Sequence, residues 1–341
     1  MCDLDLDANA AQRLSRWLAE KAHLPNARPG TLLAGGNANV TRLVESDAGR
    51  FIMRQAPKQI VSSKASAGIE REYRLLRAVH GLAPVPRPVA WCNDLDVVGA
   101  PFAITEFVEG MAISEALPPA YGSDAAVVDA IGEALIDSIA QVHGIDWSAR
   151  LPSDFGRPAG FLQRQISRWR AIRAQDTVRE LPALEEIAEW LTATAPTDGA
   201  SRIVHCDYHL DNCLFARNAP NLNAIIDWEM ATIGDPMIDV GLLLMFWRRD
   251  EVRSAGFSFV QRVTNRPDVV DPRVLADRWS ARTGISSERL DWYRVFAFWR
   301  LAAIVEGAYA LYRRGEVDTS YARGLERDVP ALLAEAAALI G

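Results

Sequence analysis

The stretch His205-Cys206-Asp207-Tyr208-His209-Leu210-Asp211-Asn212 is followed, fourteen residues after its last member, by Ile226-Asp227-Trp228-Glu229. Written as H-x-D-x4-N and then an apolar residue with Asp, the pattern supplies one carboxylate to hold a hydroxyl nucleophile. It also supplies an amide and a second carboxylate of the oxygen type that Mg²⁺ prefers. Phosphoryl transfer from a nucleoside triphosphate asks a protein mainly to position groups and to neutralise charge, and these are the parts it needs. Asp207 is therefore the candidate catalytic residue, and Asn212 and Asp227 are the candidate metal ligands.

The surroundings explain how the three could cooperate. Cys213–Ala216 and Leu222–Ile226 read as two short strands joined by a turn over Arg217–Asn221. Asp207 and Asn212 then precede a hairpin and Asp227 closes it, so the turn is expected to fold 212 and 227 together. The competing reading has these Asx residues merely shaping turns. His205 is expected to pack beneath the loop and orient Asp207, while His209 faces either substrate or solvent. The alternation of His205, Asp207 and His209 also suits Zn²⁺, but no further histidine follows downstream, the others being His23, His80 and His143. Asp235 and Asp239 are candidates for holding the loop by its backbone amides. An N-cap is the simpler role for Asp239, which precedes an apolar run.

Upstream the texture is that of a small sheet. A leading helix over 8–23 precedes β-type runs at 32–34, 40–45 and 50–53, punctuated by Gly35-Gly36-Asn37 and Asp47-Ala48-Gly49. An amphipathic helix over 69–80 ends at Pro84, Pro86 and Pro88, and strands follow at 89–92 and 102–107. Gly35, Gly36 and Asn39 lie where backbone amides could cover a triphosphate, although the run is neither G-x-G-x-x-G nor a Walker A motif. Arg54, at the end of the third strand, is placed to reach the phosphates and Glu72 to pair with it. A surface Arg and a surface Glu would be the plainer account. Beyond residue 108 the period becomes helical, over 124–143, 159–173, 181–193, 238–248, 272–281 and 288–313. The expected fold class is α+β, with an N-lobe over 1–107 and a C-lobe over 108–341.

Composition narrows the partners. At 341 residues with 49% hydrophobic and 24% charged content, the chain has ample core for two lobes. A net charge of −7 gives no electrostatic footprint for nucleic acid. Lysine is confined to Lys21, Lys58 and Lys64 against 34 arginines, so a cation acting on phosphate from the second half must be arginine. Four cysteines without C-x-x-C spacing, and a start lacking a basic, apolar leader, set the expectation of a reduced, cytoplasmic protein. The apolar run near 296–311 is broken by Arg300 and Glu306, which favours a buried helix over a membrane span.

In order along the chain, Gly35-Gly36-Asn37-Ala38-Asn39, Phe51-Ile52-Met53-Arg54, Arg71-Glu72-Tyr73-Arg74-Leu75-Leu76 and Val85-Pro86-Arg87-Pro88 resemble one family. So do Gly99-Ala100-Pro101-Phe102, Glu106-Phe107-Val108-Glu109-Gly110, Val142-His143-Gly144-Ile145-Asp146-Trp147 and the 205–241 block. The chain resembles, over about 28–315, the aminoglycoside phosphotransferase/choline kinase-like family, and within it the kinase part of acyl-CoA dehydrogenase family 10 and 11 proteins. The resemblance implies a bilobal, protein-kinase-like fold with ATP or GTP between the lobes. It places the catalytic aspartate on Asp207, Mg²⁺ on Asn212 and Asp227, the phosphate cation on Arg54 with Glu72 as partner, and adenine against the backbone around Glu106–Val108. Cys206 stands where many relatives have glycine. Arg54 replaces the protein-kinase lysine, as it commonly does in the subgroup, and Trp228-Glu229 replaces Phe-Gly, which argues for a constitutively formed site.

The acceptor is less legible. An aminoglycoside would call for acidic side chains and choline for an aromatic cage. Instead Arg164, Arg168, Trp169, Arg170 and Arg173 share one helix, with Trp247, Arg248 and Arg249 on another. Arg and Trp surfaces suit an anionic or apolar hydroxylated acceptor such as a hydroxyacyl-CoA or hydroxy acid. Core tryptophans and solvated arginines are the alternative account. Antibiotic phosphorylation and a nucleotide-binding pseudokinase module are the other functional readings.

Overall fold

The computed structural model describes residues 6–33, 39–56, 63–175, 177–197, 199–249 and 262–341, with the side chains of 63–67 left out. Gly35 and Gly36 lie outside the described residues. The chain divides into two compact units, residues 1–109 with Ala224–Glu229, and residues 110–223 with 230–341.

The first unit is built on a five-stranded antiparallel sheet. Its elements are α1 (Ala8–Lys21), β1 (Arg28–Leu32), β2 (Val40–Ser46), β3 (Gly49–Gln55), α2 (Ser63–Val79), β4 (Pro88–Cys92), the single-turn α3 (Leu95–Val98) and β5 (Phe102–Glu106), with strand order β1-β2-β3-β5-β4. Asp7 caps α1 through its carboxylate on the Ala10 amide. The β2–β3 hairpin closes with Ser46 opposite Gly49, whose φ of 123° only glycine tolerates readily.

Strand alternation decides what each face meets. Phe51 and Met53 of β3 and Phe102 and Ile104 of β5 point to one side, where they bury Leu14 and Leu18 of α1. Trp17 of α1 packs edge-on to Phe102 with ring centroids 4.9 Å apart. The intervening residues face α2: Ala103 packs with Ile69 and Ala56. Arg54 pairs across the strands with Ala103 and so shares that face. Ile69 and Glu72 are three apart on α2, one face of the helix, so Glu72 is carried to Arg54.

The second unit is mostly helical: α4 (Ala125–His143), α5 (Phe161–Gln175), α6 (Pro182–Thr194), α7 (Met237–Leu244), α8 (Pro272–Thr283), α9 (Leu290–Arg313) and α10 (Ser320–Ala338). Short strands interrupt them: β6 (Arg202–Val204) pairs antiparallel with β9 (Thr232–Gly234), and β7 (Cys213–Phe215) pairs with β8 (Leu222–Ile225). The sequence reading found the second pair and missed the first, whose strands are only three residues long. The chain leaves this unit after Asn223, and Asp227, expected in the C-lobe, belongs to the first unit. There its carboxylate pairs with Arg54, and the Ile225 amide just before it donates to the Pro84 carbonyl.

Helix α9 organises the second unit, and α7 approaches it closely because residue 241 is glycine. A β-carbon there would lie 2.6 Å from Tyr293 Cβ and 2.7 Å from its carbonyl oxygen. By length and composition α9 is apolar enough to cross a bilayer. It is instead a core helix, with Trp299, Ala302 and Ala303 fully buried. Its buried charges are satisfied within the protein: Arg300 donates to the Cys206 carbonyl, and Glu306 accepts two bonds from Arg179, at 3.0 and 2.6 Å.

Candidate active site

The loop from His205 to Asn212 connects β6 to β7 and is held from several sides. Asp239, in the first turn of α7, is fully buried and accepts from the amides of His205 (2.7 Å) and Cys206 (2.8 Å). This is the loop-holding role weighed from sequence, and Asp239 is not the N-cap of α7, which is Pro236. Asp235 instead accepts from the Met237 amide and from the Tyr293 hydroxyl (2.6 Å). Behind Asp239 stands His143 of α4, with Nε2 3.1 Å from the carboxylate. Trp279 of α8 donates to His143 Nδ1 at 2.9 Å, and indole is only a donor, so His143 carries its proton on Nε2 and gives it to Asp239. Tyr208 donates to the Leu135 carbonyl of α4 and pins the loop from below.

Within the loop His205 is fully buried and its Nδ1 accepts the Asp207 amide at 3.3 Å, the orienting position expected of it. Cys206 has a φ of 64°, a left-handed conformation that L residues enter at a cost of about 1–3 kcal/mol. Burial pushes its thiol up to about 12, with Asp239 adding to the effect, so it is no nucleophile. Asn212 Nδ2 donates to the backbone carbonyl (2.8 Å) and carboxylate (3.1 Å) of Asp207. Both partners are acceptors, which fixes the amide orientation and turns the Asn212 oxygen away from Asp207. His209 bridges two carboxylates, Nε2 lying 3.4 Å from Asp207 and Nδ1 3.4 Å from Asp211. Ser114 donates to the other oxygen of Asp211.

Burial opposes the Asp207 charge, but His209, Arg300 and His205 outweigh it and hold the carboxyl at about 2. Burial likewise opposes charge on His209, yet Asp207 and Asp211 raise it to about 9. The loop therefore presents the Asp207 carboxylate held against His209, whose Nδ1 also lies 3.3 Å from the Asp211 amide. Neither histidine is arranged as a zinc ligand, and among the described residues no cluster of three or more His, Cys, Asp or Glu side chains is set to hold a metal.

In the first unit Arg54 is the hub. It donates to Glu72 (2.8 Å), Asp227 (2.9 Å) and Glu229 (3.1 Å), and its Nε is buried without a partner among the described residues. Glu229 also accepts from Asn39 Nδ2 at 2.7 Å. Burial pushes the Glu72 carboxyl up to about 7, Arg54 opposing and Asp227 and Glu229 assisting. Asp227, like Cys206, sits at a left-handed φ of 64°. Glu106 ends β5 and its side chain accepts the Arg87 amide at 2.9 Å, with Val108 two residues on. Sequence reasoning brought Arg54 to Glu72. It assigned nothing to Glu229 or Arg300, whose partners lie 94 to 190 residues away and leave no local signal.

Each unit carries one side-chain oxygen of the type a divalent cation takes. Mg²⁺ takes one or two protein oxygens together with phosphates and waters, and Asn212 offers an amide oxygen. Asp227 offers the carboxylate oxygen that Arg54 does not engage. The arginine-rich helix is less open than its sequence implies. Arg170 pairs with Glu185, Arg164 donates to the Arg157 and Ala159 carbonyls, and Arg249 pairs with Glu335. Trp247 is fully buried and donates to the Val270 carbonyl. A cavity of about 380 Å³ remains beside α5, lined by Arg170, Arg173, Arg179, Trp299 and Glu306.

The sequence profile of the phosphotransferase enzyme family (APH) matches residues 29–275 of the 341. The chain belongs to that family. Acyl-CoA dehydrogenase family member 11 of Pongo abelii is 28% identical to this phosphotransferase family member over 317 residues, which is 91% of the chain and 39% of that protein. A probable acyl-CoA dehydrogenase of Arabidopsis thaliana, IBR3, is 30% identical over 303 residues, or 82% of the chain and 36% of its own length. The chain thus spans less than two-fifths of these relatives.

A solved structure from Ralstonia eutropha, bearing the name of an aminoglycoside phosphotransferase, superposes with a TM-score of 0.82 at 27% identity, over 98% of this chain and 99% of its own. The GDP complex of an aminoglycoside phosphotransferase aligns at 0.62 and 17% identity, covering 98% and 100%. The fold is the kinase-like one of these enzymes, a small antiparallel-sheet lobe followed by a larger helical lobe.

Proposed function

We propose that this chain is a small-molecule kinase that moves the γ-phosphoryl group of ATP or GTP onto a hydroxyl of a metabolite. The observation that carries the reading is the Asp207 carboxylate, held by Asn212 and His209 on a loop immobilised by Asp239, Arg300 and Tyr208. A pseudokinase needs no such carboxylate. With a pKa near 2, Asp207 is a weak base. Its role is to orient the acceptor hydroxyl and take up the proton late, as a loose phosphoryl-transfer transition state requires. The acceptor oxygen forms the new bond to phosphorus while the bond to the β–γ bridging oxygen breaks.

Asn212 and Asp227 would hold Mg²⁺, whose chemistry when bound is to screen and orient the phosphates. Arg54 would offset phosphate charge, with Glu72 keeping it in place. Asn39 would help cover the triphosphate, a role expected also of Gly35 and Gly36, which lie outside the described residues, and the backbone of Glu106 to Val108 would meet the base.

For the acceptor we propose a hydroxyacyl-CoA or related hydroxy acid. The relatives that match most of this chain carry acyl-CoA dehydrogenase in their names, and a kinase segment allied to acyl-CoA chemistry would act on a hydroxylated thioester. An antibiotic phosphotransferase is the second reading, favoured by the names of the solved neighbours, among them a macrolide 2′-phosphotransferase. The test is incubation with Mg-ATP or Mg-GTP and a panel of hydroxyacyl-CoAs, hydroxy acids, aminoglycosides and macrolides, read by mass spectrometry. A phosphomonoester in the acyl or hydroxy-acid arm supports the first reading. Product confined to the antibiotic arm supports the second. Phosphate release that needs no nucleotide contradicts both.

A further inference from the structure

Glu229 is two residues beyond Asp227 and lies within the first unit. One oxygen, Oε2, receives both the Asn39 amide nitrogen (2.7 Å) and Arg54 Nη2 (3.1 Å). Asn39 is the last residue of the Gly35–Asn39 run and directly precedes β2. The sheet register fixes the backbone beside it, Val40 standing opposite Gln55 and Thr41 opposite Arg54. The Asn39 side chain, in contrast, is directed by the bond to Glu229.

The segment that carries Glu229 is anchored without it. Trp228 is buried and donates to the Ile225 carbonyl at 2.9 Å, and the Ile225 amide donates to the Pro84 carbonyl at 2.7 Å. Glu229 is thus a charged acceptor on a fixed support, joining the end of a loop to a guanidinium that already holds Glu72 and Asp227.

We infer that Glu229 is a positioning residue for the nucleotide: it clamps Asn39, at the start of β2, to the proposed phosphate-binding cation Arg54. The inference rests on the phosphotransfer reading above. Losing the bond frees Asn39 and lets Arg54 settle on Glu72 and Asp227 alone. Glu229 contacts neither nucleotide nor acceptor in this scheme. Its effect passes through Asn39 and Arg54.

The test is a double-mutant cycle on the full chain, with ATP and GTP affinities measured by calorimetry, with Mg²⁺ and with a chelator in its place. Asn39→Ala and Glu229→Ala are each expected to weaken binding about tenfold. The double variant should lose about the same tenfold, not the roughly hundredfold of independent sites. The loss should be equal with and without Mg²⁺, and Glu229→Gln, which keeps an acceptor for Asn39, should recover part of it. Circular dichroism checks that each variant is folded. Additive losses, unchanged affinities, or a Glu229→Ala loss seen only with Mg²⁺ overturn the inference, the last because it would make Glu229 a metal ligand. A wild-type protein that binds neither nucleotide defeats the phosphotransfer reading itself. Binding by wild type with additive losses defeats this inference alone.

Discussion

Cys206 and Asp227 share a backbone conformation that side chains other than glycine's rarely adopt, with φ of 64° at both. Strain of this kind persists only where the surroundings over-determine it, and at Cys206 they do: Asp239 holds its amide and Arg300 its carbonyl. Cys206→Gly removes the strain but also the buried thiol. The two effects should nearly cancel, leaving stability within about 1 kcal/mol of wild type. Cys206→Val adds a branch at Cβ and should cost at least ~2 kcal/mol. Denaturant midpoints would check both, and a neutral valine variant would contradict the argument. The pairing of Arg54 with Glu72 was legible in the sequence because strand β3 and helix α2 each had a readable period. Glu229, Arg300 and Trp279 were not, since each acts through a partner from a distant part of the chain.

Among the elements, the close approach of α7 to α9 matters most, because α7 carries Asp239 and α9 carries Arg300. Gly241→Ala would drive a methyl group into the Tyr293 backbone. A loss of about 2–3 kcal/mol in a denaturation curve is expected, and a change below ~0.5 kcal/mol would show that the helices separate freely.

A second clamp joins α4 to α8, where Asp137 accepts from Arg278 at 2.7 and 2.8 Å and from Arg282 at 2.6 Å. Burial works against the Asp137 charge, but the two arginines outweigh it and hold the carboxyl below its ordinary 3.8. A lowered folded value contributes stability that is present above the ordinary value and lost as pH falls through the folded one. Asp137→Asn should therefore cost about 1 kcal/mol at neutral pH, with the difference from wild type fading below pH 3.8. A difference that persists unchanged in acid would contradict the assignment. Long periodic helices such as α4 and α9 could be read from their apolar stripes. Helix α10 could not, since Pro330 stands inside it and ordinarily signals a break. The β6–β9 pair was too short to leave a period.

For the whole molecule, the order of elements was legible, since a run of strands followed by a run of helices reads as α+β. The division of the chain was harder to read. Ala224–Glu229 belongs to the first unit although 114 residues separate it from the rest of that unit, held there by the Ile225 amide on the Pro84 carbonyl and by the ion pairs around Arg54. The acceptor was the least legible feature, because an arginine or tryptophan looks the same in sequence whether it faces a ligand or a partner inside the protein. Arg170, Arg249 and Trp247 all have partners inside the protein.

Asp207 is the group proposed to present the acceptor hydroxyl to a bound nucleoside triphosphate. The direct measurement compares wild type with Asp207→Asn for Mg²⁺-dependent transfer from ATP or GTP to the best acceptor of the panel, with nucleotide affinity measured alongside. Turnover should fall roughly 10²–10⁴-fold while nucleotide affinity stays within about threefold of wild type. Turnover that survives the substitution unchanged would contradict the account.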